Sequence, residues 1–169
     1  MKSKLLVLFI FLVPLLSKSQ DSLMIKRIDS LSQYAYDHTD TTLYYLTTTD
    51  FFNTGESSKV HVYQFENKIQ RIVCISRYPS GEYAIEFYFY NELPVFIFET
   101  TSYAREKTPS WSEKNFQGIH ASDHRYYFRN GKLVNSYGTG TDPKRSISKH
   151  SEQLLKACSR IIEWYKKAG

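Results

Sequence analysis

The sequence predicts an α+β fold: an antiparallel β-meander of six or seven strands flanked by an N-terminal and a C-terminal helix, with the C-terminal helix packed on one sheet face. Three observations carry this. Residues 59–137 run in short stretches rich in Tyr, Phe, Val and Ile, which suit a pleated, half-buried surface. Tight-turn residues separate those stretches, most plainly Asn130-Gly131. Finally, "SISKHSEQLLKACSRIIEWYKKAG" ends the chain with apolar residues at helical spacing.

In chain order, MKSKLLVLFIFLVPLLSKSQ comes first. Lys2 and Lys4 precede an apolar run from Leu5 to Leu16, and small or polar residues Ser17 to Gln20 follow. That is the layout of a secretory signal peptide, and the run is short of the roughly 20 residues a membrane span needs. No cysteine lies near the exit to carry a lipid anchor. Residues 1–20 therefore read as a signal peptide and 21–169 as a single α+β domain, secreted or periplasmic, with no membrane span after cleavage. The formal charge of +5 shrinks accordingly, because Lys2, Lys4 and Lys18 supply three of those charges. What remains has no extended run of Lys or Arg, which argues against nucleic acid as a partner.

Met24, Ile28, Leu31 and Ala35 are spaced four, three and four, with Asp21 or Ser22 able to cap; this predicts a helix over 21–37. Leu43 to Thr49 suits a seventh strand, and residues 53–58 make a loop. "VYQFENKIQRIV", "EFYFYNELPVFIF" and "RYYFRNGKLVNSY" then share a skeleton of an aromatic strand, Phe-x-Asn and an aliphatic. The anchors are Phe65/Asn67, Phe89/Asn91 and Phe128/Asn130, followed by Ile69, Leu93 and Leu133. Asn tolerates the positive φ of a tight hairpin, so the chain writes a hairpin three times. With Tyr78-Pro79-Ser80-Gly81 as a further turn, the strands fall at 59–66, 68–77, 82–90, 94–103, 123–129 and 132–137. Alternation puts Tyr83, Ile85, Phe87 and Phe89 on the core face and Ala84, Glu86, Tyr88 and Tyr90 on the other. Leu154, Cys158, Ile161 and Tyr165 form the stripe of the last helix, which should cover the core face, with the first helix beside it or across an edge.

Candidate chemistry is sparse. Cys74 and Cys158 admit two readings: a disulfide closing a loop of about 85 residues, worth roughly 4–5 kcal/mol, or two separate buried thiols. His120, Asp123 and His124 lead into a strand, where residues four apart lie roughly 13 Å apart, so a loop end is favoured over a zinc site and no metal is expected. Ser146, Ser148 and His150 read as helix-start capping rather than a nucleophile and base. Glu86 and Glu99 on separate hairpin arms would serve as acid and base only if they faced each other. With no Gly-rich phosphate cradle, no cofactor is expected, and no residue is assigned as catalytic. The longest connection, 104–122, carries Trp111 and Phe116 on a polar background. These two, with Tyr88 and Tyr90 on the outer face, are the candidate binding residues.

At "YYFRNGKL" and "FYFYNEL" the chain resembles small secreted bacterial proteins of uncharacterised function with aromatic, MORN-like hairpin repeats (YYF-x-NGKL). The resemblance covers roughly 59–137, supports the hairpin fold and implies no catalytic residues. The expected function is a non-catalytic binding module recognising a protein or an envelope glycan. The alternatives are an inhibitor or immunity-like protein, or a small-ligand carrier or enzyme with a pocket between helix and curved sheet.

Overall fold

A computed structural model of the protein describes residues 22–23, 25–34, 36–37, 41–47, 51–52, 58–78, 81–104, 118–139 and 146–168. The expected signal peptide, Trp111 and Phe116 lie outside these residues. Helix α1 spans 22–37, apart from positions 24 and 35. Seven strands follow: β1 Thr41–Thr47, β2 Ser58–Phe65, β3 Lys68–Tyr78, β4 Gly81–Tyr90, β5 Leu93–Ala104, β6 Gly118–Arg129 and β7 Lys132–Thr139, then α2 Ile147–Ala168. They form one antiparallel sheet in sequence order, a pure meander. The expected α+β architecture is present with the seventh strand.

The turns explain the connectivity. Glu66-Asn67, Asn91-Glu92 and Asn130-Gly131 all hold positive φ, between 49° and 72°. Two consecutive residues at positive φ make the type I′ geometry whose twist matches flanking strands. Each of these hairpins also carries a bulge at the same distance from its turn, after Tyr63, Tyr88 and Tyr127. Counted from the turns, Tyr63, Tyr88 and Tyr127 are equivalent, and so are Gln64, Phe89 and Phe128. The Phe-x-Asn alignment therefore slips by one residue in the first copy. Leu93 is also displaced: it opens β5 beside the turn and is exposed, while Pro94 stands opposite Phe89.

Registers line up across the sheet. Val60, Cys74, Ile85, Glu99, His124 and Gly138 form one transverse row, and Val62, Ile72, Phe87, Ile97, Tyr126 and Ser136 the next. Their alternation puts the expected core set, Tyr83, Ile85, Phe87 and Phe89, on the face that α2 covers, with Tyr83 only partly buried. Leu154, Cys158 and Ile161 close that face into the main core with Phe51 and Phe128. Helix α2 crosses it diagonally, with His150 bonded to Glu99 on β5 and the Tyr165 hydroxyl accepting from Gln64 Nε2 on β2 at 3.0 Å.

The placement of α1 differs from expectation. It lies neither beside α2 nor across an edge but on the opposite face, where Ile28 and Ile25 pack with Tyr88, Phe96 and Tyr127 in a second apolar cluster. The reason is in the strands: Tyr88, Phe96 and Tyr127 put rings on the face away from α2, so both sides of the sheet need cover.

Candidate functional site

Two sets of polar and aromatic residues stand out, one on each face. Under α2, Glu99 is only 2% exposed. Tyr83 donates to its Oε1 at 2.7 Å, Tyr126 donates to Oε2 at 2.9 Å, and His150 Nε2 lies 3.0 Å from Oε2. A carboxylate has about four lone-pair sites, and here three are engaged by side chains from β4, β6 and α2. His124 sits beside Glu99 in the transverse row, over Gly138, which leaves room for the ring. Ser151 Oγ donates to the Ser148 carbonyl three residues back, the back-bonding of a serine inside a helix turn. His150 turns inward and joins the Glu99 cluster.

Glu86 and Glu99 do not meet. They point to opposite faces, and Glu86 is held by Arg71 at 2.9 Å and by the Tyr88 hydroxyl at 2.6 Å. Asp123 bonds Thr139 across β6 and β7; the side chain of His120 is outside the described residues. Among the described residues, no group of three His, Cys, Asp or Glu is arranged to hold a metal. Cys74 and Cys158 come into the same core cluster, buried, with both thiols free in this structure. Burial pushes the Cys158 thiol up to about 12 and raises that of Cys74 well above the ordinary range, with Cys158 as a further cause.

The second set surrounds α1. Arg71 lies over the rings of Tyr63, Tyr36 and Tyr88 at 4.8, 4.9 and 5.5 Å from their centroids. Its Nε, buried, has no hydrogen-bond partner among the described residues, so ring faces rather than hydrogen bonds enclose that side of the guanidinium. Tyr88 is buried there, and its pKa is raised, first by burial and then by its bond to Glu86. Tyr127 donates to Asp29 Oδ1 at 3.2 Å; burial, with Asp29 second, pushes it up to about 12. Around this covered ladder, four tyrosines stay open: Tyr34 at 45%, Tyr36 at 62%, Tyr90 at 41% and Tyr137 at 53% exposed. Tyr34 meets Phe65 edge-on, Arg27 lies over Tyr90, and Tyr137 meets Tyr127 edge-on at 5.8 Å.

No family model, curated protein or solved structure matches the chain. Its functional reading therefore rests on these residues. Of the four proposed binding residues, Tyr90 is on the open rim and Tyr88 is beneath α1. The exposed Tyr34, Tyr36 and Tyr137 were not singled out by sequence reasoning. The signal for Tyr137 was available, since it follows the third hairpin by alternation from Asn135. The signal for Tyr34 and Tyr36 was not, because it depends on which face α1 takes.

Among the described residues, no helix is long and apolar enough to cross a membrane.

Proposed function

We propose that the protein is an exported, non-catalytic binding module, secreted or periplasmic, built on MORN-like aromatic hairpins. It recognises a protein or envelope component through the tyrosine-bearing face around α1. The observation that carries this reading is the set of open tyrosines on α1, Tyr34 and Tyr36, and on the sheet face it covers, Tyr90 and Tyr137, interleaved with Arg27 and Arg71. Tyrosine and arginine supply large contact area and directional polar groups, and both are enriched where binding energy concentrates.

Two features weigh against a pocket beneath α2. The apolar side chains of that interface are buried against one another, and the Glu99 carboxylate is already occupied by donors from the protein itself. A general base must reach a substrate proton, and Glu99, 2% exposed, is closed off beneath α2.

The test uses the chain lacking residues 1–20, sedimented with bacterial cell envelopes and, separately, with purified peptidoglycan sacculi. The chain co-sediments with one of them, and the combined Tyr34→Ser, Tyr36→Ser, Tyr90→Ser and Tyr137→Ser variant loses at least about tenfold in affinity, given that single anchors at an interface cost more than about 1 kcal/mol. Unchanged sedimentation of that variant overturns the reading.

A further inference from the structure

The chain has two cysteines, and the fold brings both into one core cluster, Cys74 from β3 and Cys158 from α2. The crossing of α2 explains why they meet. His150 fixes the helix over β5 through Glu99, and Tyr165 fixes it over β2 through Gln64. The strands between are β4 and β3. Cys158 follows His150 by eight residues and precedes Tyr165 by seven, so it passes over the middle of that interval, where β3 and β4 run side by side. Helix side chains lean toward the N-terminus. That tips Cys158 back toward the transverse row of Glu99, and Cys74 stands in the same row. The sulfurs are near enough for Cys158 to act on the ionisation of Cys74. Small side chains that face each other let backbones approach, and a bridge needs Cα atoms within about 7 Å. With no third cysteine in the sequence, one intramolecular pairing is open.

We propose that Cys74 and Cys158 close into a disulfide as the exported chain folds, stapling α2 to β3 in the mature protein. The proposal rests on the exported reading for its oxidising compartment.

The oxidant is itself a disulfide, that of a thiol–disulfide oxidoreductase. One cysteine thiolate attacks it, giving a mixed disulfide and one oxidant thiolate. The other cysteine thiolate attacks the cysteine sulfur of that mixed disulfide, which forms the Cys74–Cys158 bond and releases the second oxidant thiolate. The two S–H protons end on the oxidant's two thiols, and two electrons pass from the cysteines to the oxidant. In the folded chain both thiols are buried, and burial disfavours the thiolate that the attack requires. The bond therefore forms before α2 settles on the sheet, and the finished fold shields it from reductant.

The test uses the full chain, unfolded in guanidinium chloride with reductant and refolded by dilution into reduced and oxidised glutathione. Its intact mass falls by two hydrogens, and it takes up no iodoacetamide when unfolded again. Cys74→Ser and Cys158→Ser each abolish that loss of mass. A refolded chain that keeps two alkylatable thiols, or carries glutathione on both, overturns the bridge. The bridged chain melts at least about 5 °C above the reduced one, because the bond closes a long loop in the unfolded state. A bridged chain that melts lower overturns it as a native bond. Glutathione disulfide added after the reduced chain has folded forms the bond at least about tenfold more slowly than during refolding; equal rates overturn the order of events. A chain that bridges in the refolding mixture but is recovered from cells with both thiols reduced sinks the exported reading instead, and leaves the pairing standing.

Discussion

Removing the Glu99 carboxylate is the perturbation whose size follows most directly from the structure. In Glu99→Ala, the hydroxyls of Tyr83 and Tyr126 and the ring nitrogen of His150 lose an acceptor at 2.7–3.0 Å. An unsatisfied buried donor costs about 1–3 kcal/mol, and removing one partner of a buried pair costs about 3–5 kcal/mol. Some relaxation around three donors keeps the sum near the second range, about 3–5 kcal/mol. For a chain of this length that lowers Tm by roughly 10 °C. Urea unfolding followed by circular dichroism measures it, and the m-value should hold, because the surface exposed on unfolding is nearly the same. Glu99→Gln keeps the shape and one acceptor, so it should fall between. A cycle with His150→Ala should give a coupling of about 1 kcal/mol or more. A loss below about 1 kcal/mol for Glu99→Ala refutes the cluster as the anchor of α2. Envelope binding lost in a Glu99→Gln chain of unchanged stability would place Glu99 in the binding site instead.

Iodoacetamide at pH 8 should leave Cys74 and Cys158 of the reduced, native chain unlabelled and alkylate both in denaturant; fast native labelling contradicts their burial. Tyr127, Tyr88 and both thiols have folded pKa values above their unfolded ones, so their contribution is present at neutral pH and is lost as pH rises above about 9. Unfolding free energy that stays flat between pH 9 and 11 would contradict this. Gly81→Ala brings a Cβ to 2.2 Å from the Ser102 carbonyl oxygen, a backbone atom, and should cost about 1–3 kcal/mol in thermal denaturation; a neutral result means β5 moves freely there.

The strands and hairpins were legible because alternation and turn residues are local signals. The one-residue slip in the first hairpin came from matching Phe and Asn, when the turn needs two positive-φ residues of whatever kind. In Glu66-Asn67 the asparagine takes the second place, and in Asn91-Glu92 the first. The recurring Tyr63, Tyr88 and Tyr127 would have given the register. The side taken by α1 was not legible from its own stripe, which says that a helix buries a face but not which one. Rings on both faces of β4 did carry that hint. The Glu99 cluster was out of reach, since His150 lies 51 residues away and meets Glu99 only through the crossing of α2. The lone carboxylate in "FIFETT" was its single trace.

Tyrosine footprinting of the chain, with and without bacterial envelopes, tests the binding face most directly. The account predicts protection at Tyr34, Tyr36, Tyr90 and Tyr137, with Tyr103, exposed on β5, unchanged. Protection confined to Tyr103 or to residues of α2 would contradict it.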